Sequence, residues 1–534
     1  DGIRWLLAHL SLDASESSGA LLADDMGLGK TYMTLVGMAE WLSRMKNSSS
    51  RDLRPSLIVA PLTLMDNWIE EIQKTFRASP FRDIVILQPG AELPRYKVSG
   101  AGRETRQELD EDGLITDAEK IRYSLKIGKI YGNERLDAPN RLVLTTYQTL
   151  RDYQFSLSRV DWEFVVFDEA QNIKNPNSLV SRAAKGLKAR FKLLATGTPV
   201  ENSLRDFWCL MDCAVPGLLG AWKGFREQYI SPIVSADSAQ INLVKLEVGK
   251  QLRERAGWYM LRRTIADHLE GLPQKRIFTG NPANVEGYLA HIGGSMTGEQ
   301  LEAYDRIVIN VKQSNIEDKR KLVLPSLQKL RVISIHQDIE RCSVALLKDP
   351  KLLGRARASV KISAVLKVLQ EIRERKEKVL IFAMTKSVQA LIATVVASEF
   401  NIQVGIVNGD TKAVASPKDN ATRKSIIDDF QSREGFGVLV MSPIAAGVGL
   451  TIVGANNVIH LERHWNPAKE AQATDRVYRI GQQRAVNVYL PMALHPTGSS
   501  FDLQLDALLS RKLDLSEAVV AVGEVEADDF AGIF

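Results

Sequence analysis

Ten short runs of aliphatic and β-branched residues, set in two blocks of five, constrain the fold of this chain more than any other feature. In the first block they fall at residues 57–60, 84–87, 142–146, 164–168 and 193–196. In the second they fall at residues 379–383, 404–407, 438–441, 458–461 and 486–490. Runs this short and this apolar suit parallel strands covered on both faces. Helical stripes lie between them. Leu35, Met38, Leu42 and Met45 recur at helical spacing in the first block; Ile362, Val365, Leu366, Leu369 and Ile372 do so just ahead of the run at 379. Strand–helix alternation repeated in two blocks predicts an α/β chain with two doubly wound parallel-sheet units.

Boundaries follow from where the alternation stops. Residues 1–204 are expected to form the first unit, with an insertion at 92–137 that mixes both signs of charge and lacks buried periodicity. Residues 205–358 hold few strand-like runs and many helical ones, so they read as helical insertions with a linker near 271–282. Residues 359–500 form the second unit, and 501–534 a C-terminal helix and an acidic tail at 524–529. Residues 47–50 are expected to be a loop.

Composition narrows the class. Of 534 residues, 45% are hydrophobic and 25% charged, which excludes a disordered or collagen-like chain. Lys and Arg number 69 against 64 Asp and Glu, and the resulting +5 permits a nucleic-acid partner without requiring one. Three cysteines exclude a disulfide framework and a multi-cysteine zinc site, so the chain reads as reduced and intracellular. It opens on Asp1 and is expected to be a piece of something longer, without a secretory leader. Residues 438–459 carry no charge, yet Pro443, Gly447, Gly449, Gly454 and Asn456–Asn457 would break a helix in lipid. Strand, loop, strand is the better expectation, and no membrane partner is predicted.

The strongest local signal is LLADDMGLGKT at residues 21–31: an apolar run, a glycine loop, then a helix. A loop ahead of a helix N-terminus points backbone N–H groups at an anion, and the helix dipole adds to them. Gly27 and Gly29 let the backbone approach phosphate oxygens, Lys30 can reach the β- and γ-phosphates, and the Thr31 hydroxyl can ligate Mg²⁺. Asp24 stands where the strict pattern has its first glycine. The partner signal is FVVFDE at 164–169, an apolar strand ending in two carboxylates. Asp168 would hold the metal and Glu169 would orient the attacking water.

Further segments follow in order: LIVAPLTLMDNW (57–68), LTTYQTL (144–150), DEAQNIKNP (168–176), LLATGTPVEN (193–202), LRRT (261–264), KVLIFAMT (378–385), NGDT (408–411), MSPIAAGVGLTIVGANNVIHLERHWNP (441–467) and QATDRVYRIGQ (472–482). With the phosphate loop, the series resembles the SWI/SNF-type branch of helicase superfamily two, the motors of chromatin remodellers and their bacterial relatives. The resemblance spans nearly the whole chain. It implies two RecA-like lobes with helical insertions between them, ATP and Mg²⁺ in the cleft, and nucleic acid across both lobes. It places Gly27, Leu28, Gly29, Lys30 and Thr31 on the phosphates, Thr31 and Asp168 on the metal, and Glu169 on the water. Gln472 would be a polar sensor at the cleft, and Arg476 and Arg479 look like arginine fingers from the second lobe. Gln171, which replaces the commoner histidine, with Thr196 and Thr198 would relay hydrolysis to the nucleic-acid side. For the track the resemblance points to Pro61, Thr145, Thr146, Asn408, Gly409, Thr411 and Gly447, groups suited to backbone phosphates. Two departures stand out: Pro443-Ile444 replaces the usual Thr-Lys, and Thr451 replaces an asparagine.

What the resemblance implies is an ATP-dependent translocase on double-stranded DNA; a strand-separating helicase and an ATP-gated DNA clamp are the competing expectations. Residues 501–513 resemble bacterial members, which points to the bacterial nucleoid, and the helical insertions offer surfaces for protein partners. Trp68, Trp465, Cys209 and Cys213 are expected to be packing residues, and His460 and His464 are expected to diverge and not pair on a metal. Arg262, Arg263 and Lys275 either contact DNA or are solvated.

Overall fold

The computed structural model describes residues 1–12, 18–48, 53–106, 123–197, 203–236, 241–263, 273–314, 316–339, 350–411, 422–446, 450–479 and 481–517. Thr198, Cys342, Gly447 and the acidic tail lie outside the described residues. Two compact units are formed chiefly by Asp1–His268 and Leu269–Asp514.

The first unit is built on seven strands: β1 (Gly19–Leu22), β2 (Ser56–Ala60), β3 (Asp83–Leu87), β4 (Arg141–Thr146), β5 (Asp161–Asp168), β6 (Lys188–Ala195) and β7 (Met260–Leu261). Their order is β3-β4-β2-β5-β6-β1-β7, and every pairing is parallel. Strands β1, β2 and β4 are buried along their whole length, the condition that selects continuous apolar runs over alternating ones. The run expected at 193–196 is the buried end of the longer β6, whose first residues are charged and open to solvent. Strand β1 was hard to see because GALL has no β-branched residue.

In the second unit the strands are β8 (Lys275–Thr279), β9 (Gly293–Ser295), β10 (Lys378–Phe382), β11 (Gly405–Val407), β12 (Gly437–Met441), β13 (Asn457–His460), β14 (Val486–Leu490) and β15 (Met492–Leu494). Six form a parallel sheet in the order β11-β12-β10-β13-β14-β8, while β9 and β15 pair separately. Two apolar layers cover the sheet, one including Ile362, Val365, Leu369 and Ile372, the other Ile427, Phe430, Ala473 and Val477. The C-terminal helix Phe501–Glu517 contributes Leu505, Leu508 and Leu509 to a further cluster with Tyr304, Val308, Leu327 and Leu330.

Two expectations need correction. Lys275–Thr279 falls where a linker was expected, yet it is an edge strand of the second sheet; an edge needs less apolar cover, so Lys-Arg at its start does not forbid a strand. The helix Lys30–Ser48 takes in residues 47 and 48 of the expected loop at 47–50, and 49–50 are outside the described residues. The 92–137 insertion does reach the core, through Leu93, Tyr96, Leu125 and Leu136. Its described residues form only short helical turns, so apolar residues arrive singly and leave no period to read. Glu104 pins it: the buried carboxylate accepts from Ser124 N (2.9 Å), Phe155 N (2.7 Å) and Ser156 N (3.0 Å). The uncharged stretch 438–459 holds β12, a short helix Pro443–Ala446 and most of β13. No helix among the described residues is long and apolar enough to cross a membrane.

Candidate nucleotide site

Register decides which residues meet. Leu22, the last residue of β1, and Asp168, the last of β5, are both paired to Ala195 at the end of β6. The phosphate loop, the two acids and Thr196 therefore emerge at one carboxyl edge, where ligands bind in open α/β sheets. Ala60 and Thr146 are paired at the same edge, which brings Pro61 there as well.

Within the loop Gly27 (φ 87°) and Gly29 (φ 75°) adopt left-handed backbone that a side chain would strain. Leu28 sits half-buried between them, and Thr31 lies in the first turn of the helix that begins at Lys30. The Lys30 ammonium is folded onto the loop, donating to the carbonyls of Asp24 (2.7 Å) and Asp25 (3.0 Å). Burial holds its pKa below the usual lysine value, while Glu169, Asp168, Asp24 and Asp25 pull the other way. A cation held among acids and carbonyl oxygens is suited to moving onto a triphosphate.

The acids are tightly framed. Trp68 Nε1 donates to Asp168 Oδ2 (2.9 Å), Glu169 N donates to Asp168 Oδ1 (3.0 Å), and the Tyr147 hydroxyl donates to the Asp168 carbonyl (2.6 Å). Burial and then the neighbouring Glu169 carboxylate push the Asp168 carboxyl up to about 6, against the pull of Trp68 and Lys30. Glu169 occupies the left-handed region (φ 52°, ψ 54°), a strained position for a non-glycine residue at a site. Gln171 Nε2 donates to Glu169 Oε2 (2.7 Å), and Thr196 Oγ1 donates to Gln171 Oε1 (2.8 Å). A desolvated carboxylate pressed by a second acid, with Thr31 in the first turn of the helix at the same sheet edge, is a donor set that fits a divalent cation.

Sequence reasoning missed Trp68, Tyr147 and Arg263. Trp68 packs as expected, at 1% exposure, but a buried indole N–H needs an acceptor, and that requirement could have pointed to an acid. Arg263, expected to contact DNA or be solvated, is half-buried and pairs with Asp24. Thr145 and Thr146 both find partners inside the fold. Thr145 is fully buried and donates to Leu87 O (2.9 Å), while Thr146 caps the helix Tyr147–Asp152 by accepting from Thr149 N (3.2 Å). Both hydroxyls serve the fold, because buried hydroxyls at strand ends take backbone partners first.

In the second unit, Asn408 and Gly409 follow β11 at the carboxyl edge of its sheet. Asn408 N donates to Thr411 Oγ1 (3.1 Å) and Asn408 Nδ2 to Gln389 Oε1 (2.9 Å), a turn that leaves Gly409 exposed. Gln472 is buried on the helix Pro467–Thr474. Arg476 just beyond it is buried, its Nη1 donating to Leu450 O (3.5 Å), and Arg479 is half-buried in the following turn. His460 ends β13 with Nε2 2.9 Å from Thr474 Oγ1, and Trp465 packs edge-on against Phe501. Cys209 and Cys213 are buried on one helix, Leu204–Ala214.

The profile of the SNF2-related domain matches residues 1–336, and that of the helicase conserved C-terminal domain matches residues 360–481. The chain belongs to the SNF2-related family. It is thus a helicase-like enzyme that uses ATP. ZorD of Escherichia coli is 35% identical to this SNF2-related chain over 100% of the chain and 46% of ZorD. YwqA of Bacillus subtilis is 29% identical over 97% of the chain and 48% of YwqA. RAD26 of Saccharomyces cerevisiae, named as a DNA repair and recombination protein, is 26% identical over 89% and 43%. The chain therefore spans about half the length of the relatives it matches. Among solved structures, the Sulfolobus solfataricus SWI2/SNF2 ATPase core in complex with dsDNA is 28% identical, covering 97% of this chain and 91% of that one, with a TM-score of 0.39.

Proposed function

We propose that this SNF2-related domain couples ATP hydrolysis to movement along double-stranded DNA without separating the strands. The observation that carries the proposal is the bonded line Glu169–Gln171–Thr196, which ties the acid at the nucleotide edge to the end of the neighbouring strand. A change at the water-orienting carboxylate has a direct mechanical path into the sheet edge.

Gly27, Leu28, Gly29 and Lys30 bind the phosphates, and Glu169 orients the water. Mg²⁺ would be held by Thr31 and Asp168, where it would neutralise charge on the phosphate oxygens. Trp68 and the Glu169 N–H keep the Asp168 carboxylate aimed and ionised. Gln472 senses the nucleotide, and Arg476 and Arg479 supply positive charge to the transferring phosphoryl group when ATP is engaged. Thr196 and Thr198 pass the change onward. Pro61, Asn408, Gly409, Thr411 and Gly447 face the DNA backbone, with little sequence preference. The kinship with ZorD and YwqA supports a bacterial setting, with the DNA as partner and the helical segments as docking surfaces for other proteins.

The test is the ATPase rate against duplex DNA, single-stranded DNA and RNA. Duplex DNA is expected to raise turnover, and Lys30→Ala to remove turnover while leaving salt-sensitive DNA binding. A rate unmoved by duplex DNA but raised by single-stranded RNA refutes the proposal. Release of a strand from tailed duplexes would favour a helicase, and turnover indistinguishable from zero with every DNA would favour a clamp.

A further inference from the structure

Asp24 breaks the glycine pattern of the phosphate loop and is fully buried, at 0% exposure. A buried carboxylate is tolerated only with a counter-charge and hydrogen bonds. Both come from one residue 239 positions away. Arg263 N donates to Asp24 Oδ1 (3.0 Å), Arg263 Nε lies 3.2 Å from both carboxylate oxygens, and Arg263 Nη2 donates to Asp24 Oδ2. The backbone closes the contact, with Ala23 N donating to Leu261 O (2.7 Å) and Asp25 N to Arg263 O (3.0 Å). Gly2 makes room for the guanidinium, since a Cβ there would lie 2.8 Å from Arg263 Nη2.

From this geometry we infer that Arg263 is a positioning residue of the nucleotide site, which keeps Lys30 available to phosphate by neutralising Asp24. The inference rests on the reading of Lys30 as the phosphate lysine. Lys30 already bonds the Asp24 carbonyl, and the Asp24 charge acts on its ammonium. Without Arg263, the Asp24 carboxylate has Lys30 as its adjacent cation. The ammonium is then held in the loop by that carboxylate and withdrawn from the phosphate it must reach. The remedy is specific: removing the carboxylate charge should undo the loss of the arginine.

The experiment measures ATP affinity by fluorescent-nucleotide titration, and steady-state turnover, for the purified chain and for Arg263→Gln, Asp24→Asn/Arg263→Gln, Arg263→Lys and Lys30→Ala. Arg263→Gln is expected to weaken ATP binding about tenfold or more, with kcat at saturating ATP within about threefold of the parent. The double variant returns to within about threefold of the parent affinity, because the charge that held Lys30 is gone. A purely structural role would lower the urea midpoint of Arg263→Gln and leave the affinity of the folded protein unchanged, and that result overturns the inference. So does a double variant no better than the single. Should Arg263→Gln not fold, Arg263→Lys keeps the charge without the two-pronged contact and is expected to bind ATP within a few-fold of the parent; a tenfold or larger loss in folded Arg263→Lys overturns the inference equally. If Lys30→Ala binds ATP as the parent does, the assignment of Lys30 itself has failed; if only Arg263→Gln is silent, the assignment of Arg263 has.

Discussion

Protonation of His460 should control the acid stability of the second unit. Its imidazole ends β13, stacks on Phe382 and bonds Thr474. Burial pulls its pKa from 6.5 down to about 4; Glu470 opposes that, while Arg463, Lys275 and His464 add to it. The sign follows from linkage. A depressed native value means the neutral form is favoured on folding, so the contribution is whole above pH 6.5 and is lost as pH falls toward 4. With these values the native state loses roughly 2 kcal/mol from this group between pH 8 and pH 5. His460→Gln cannot titrate and can still reach Thr474, at a cost of about 1 kcal/mol from imperfect bonding and packing. The two stability curves should therefore cross: the parent is more stable at pH 8 and the variant at pH 5. Hydrogen exchange at the amides of β13, over that pH range, reads the second unit apart from the first. Parallel curves with no crossing or convergence would refute the argument, since they would mean that His460 titrates alike in the folded and unfolded chain.

Other consequences follow from the same contacts. Trp68→Phe removes the bond that opposes protonation of Asp168, so its carboxyl, already at about 6, should rise further. ATPase turnover should then fall about tenfold near pH 6.5, with a smaller deficit at pH 8; equal deficits at both pH values count against it. Arg463 joins Glu470 to Asp506 across the helices Pro467–Thr474 and Phe501–Glu517, so Arg463→Ala strips two largely buried acids of this counter-charge. The expected loss is about 3–5 kcal/mol in urea unfolding of the second unit. Burial pushes the Cys209 thiol up to about 12 and raises Cys213 as well, so neither should be alkylated by iodoacetamide at pH 8 until urea unfolds the helix, as peptide mass spectrometry would show.

The strands that carry the site were visible beforehand because burial on both faces demands an unbroken apolar run. LIVA at 57–60 and FVVFD at 164–168 could hardly be anything else, and the acids at the end of one fixed the functional edge. Elsewhere the pattern dissolves, each time for its own reason. GALL in β1 lacks branched residues, KRIFT in β8 opens on two cations, and the insertion drops Leu93, Tyr96, Leu125 and Leu136 into the core without a period. The two inward-bonded threonines share a different cause. Thr145 and Thr146 stand at the right strand end, but sequence gives no sign of whether a hydroxyl faces out or turns back to a carbonyl or amide.

A motif that departs from its pattern is better treated as half of a pair than as a weaker match. Aspartate in place of the first loop glycine would, taken alone, place an unwanted negative charge beside a phosphate site. The compensating residue could not be found by spacing, because it lies at the far end of the unit and reaches the loop only through the parallel addition of Met260–Leu261 to β1. Topology makes the contact, and electrostatics makes it necessary. The same reasoning explains Trp68, whose lone donor meets Asp168 across 100 residues. In both cases the site residue is chemically incomplete as written in its own segment, with a buried charge or a buried donor left open. Its partner is dictated by that deficit and supplied by whichever neighbouring strand or helix the sheet order brings alongside.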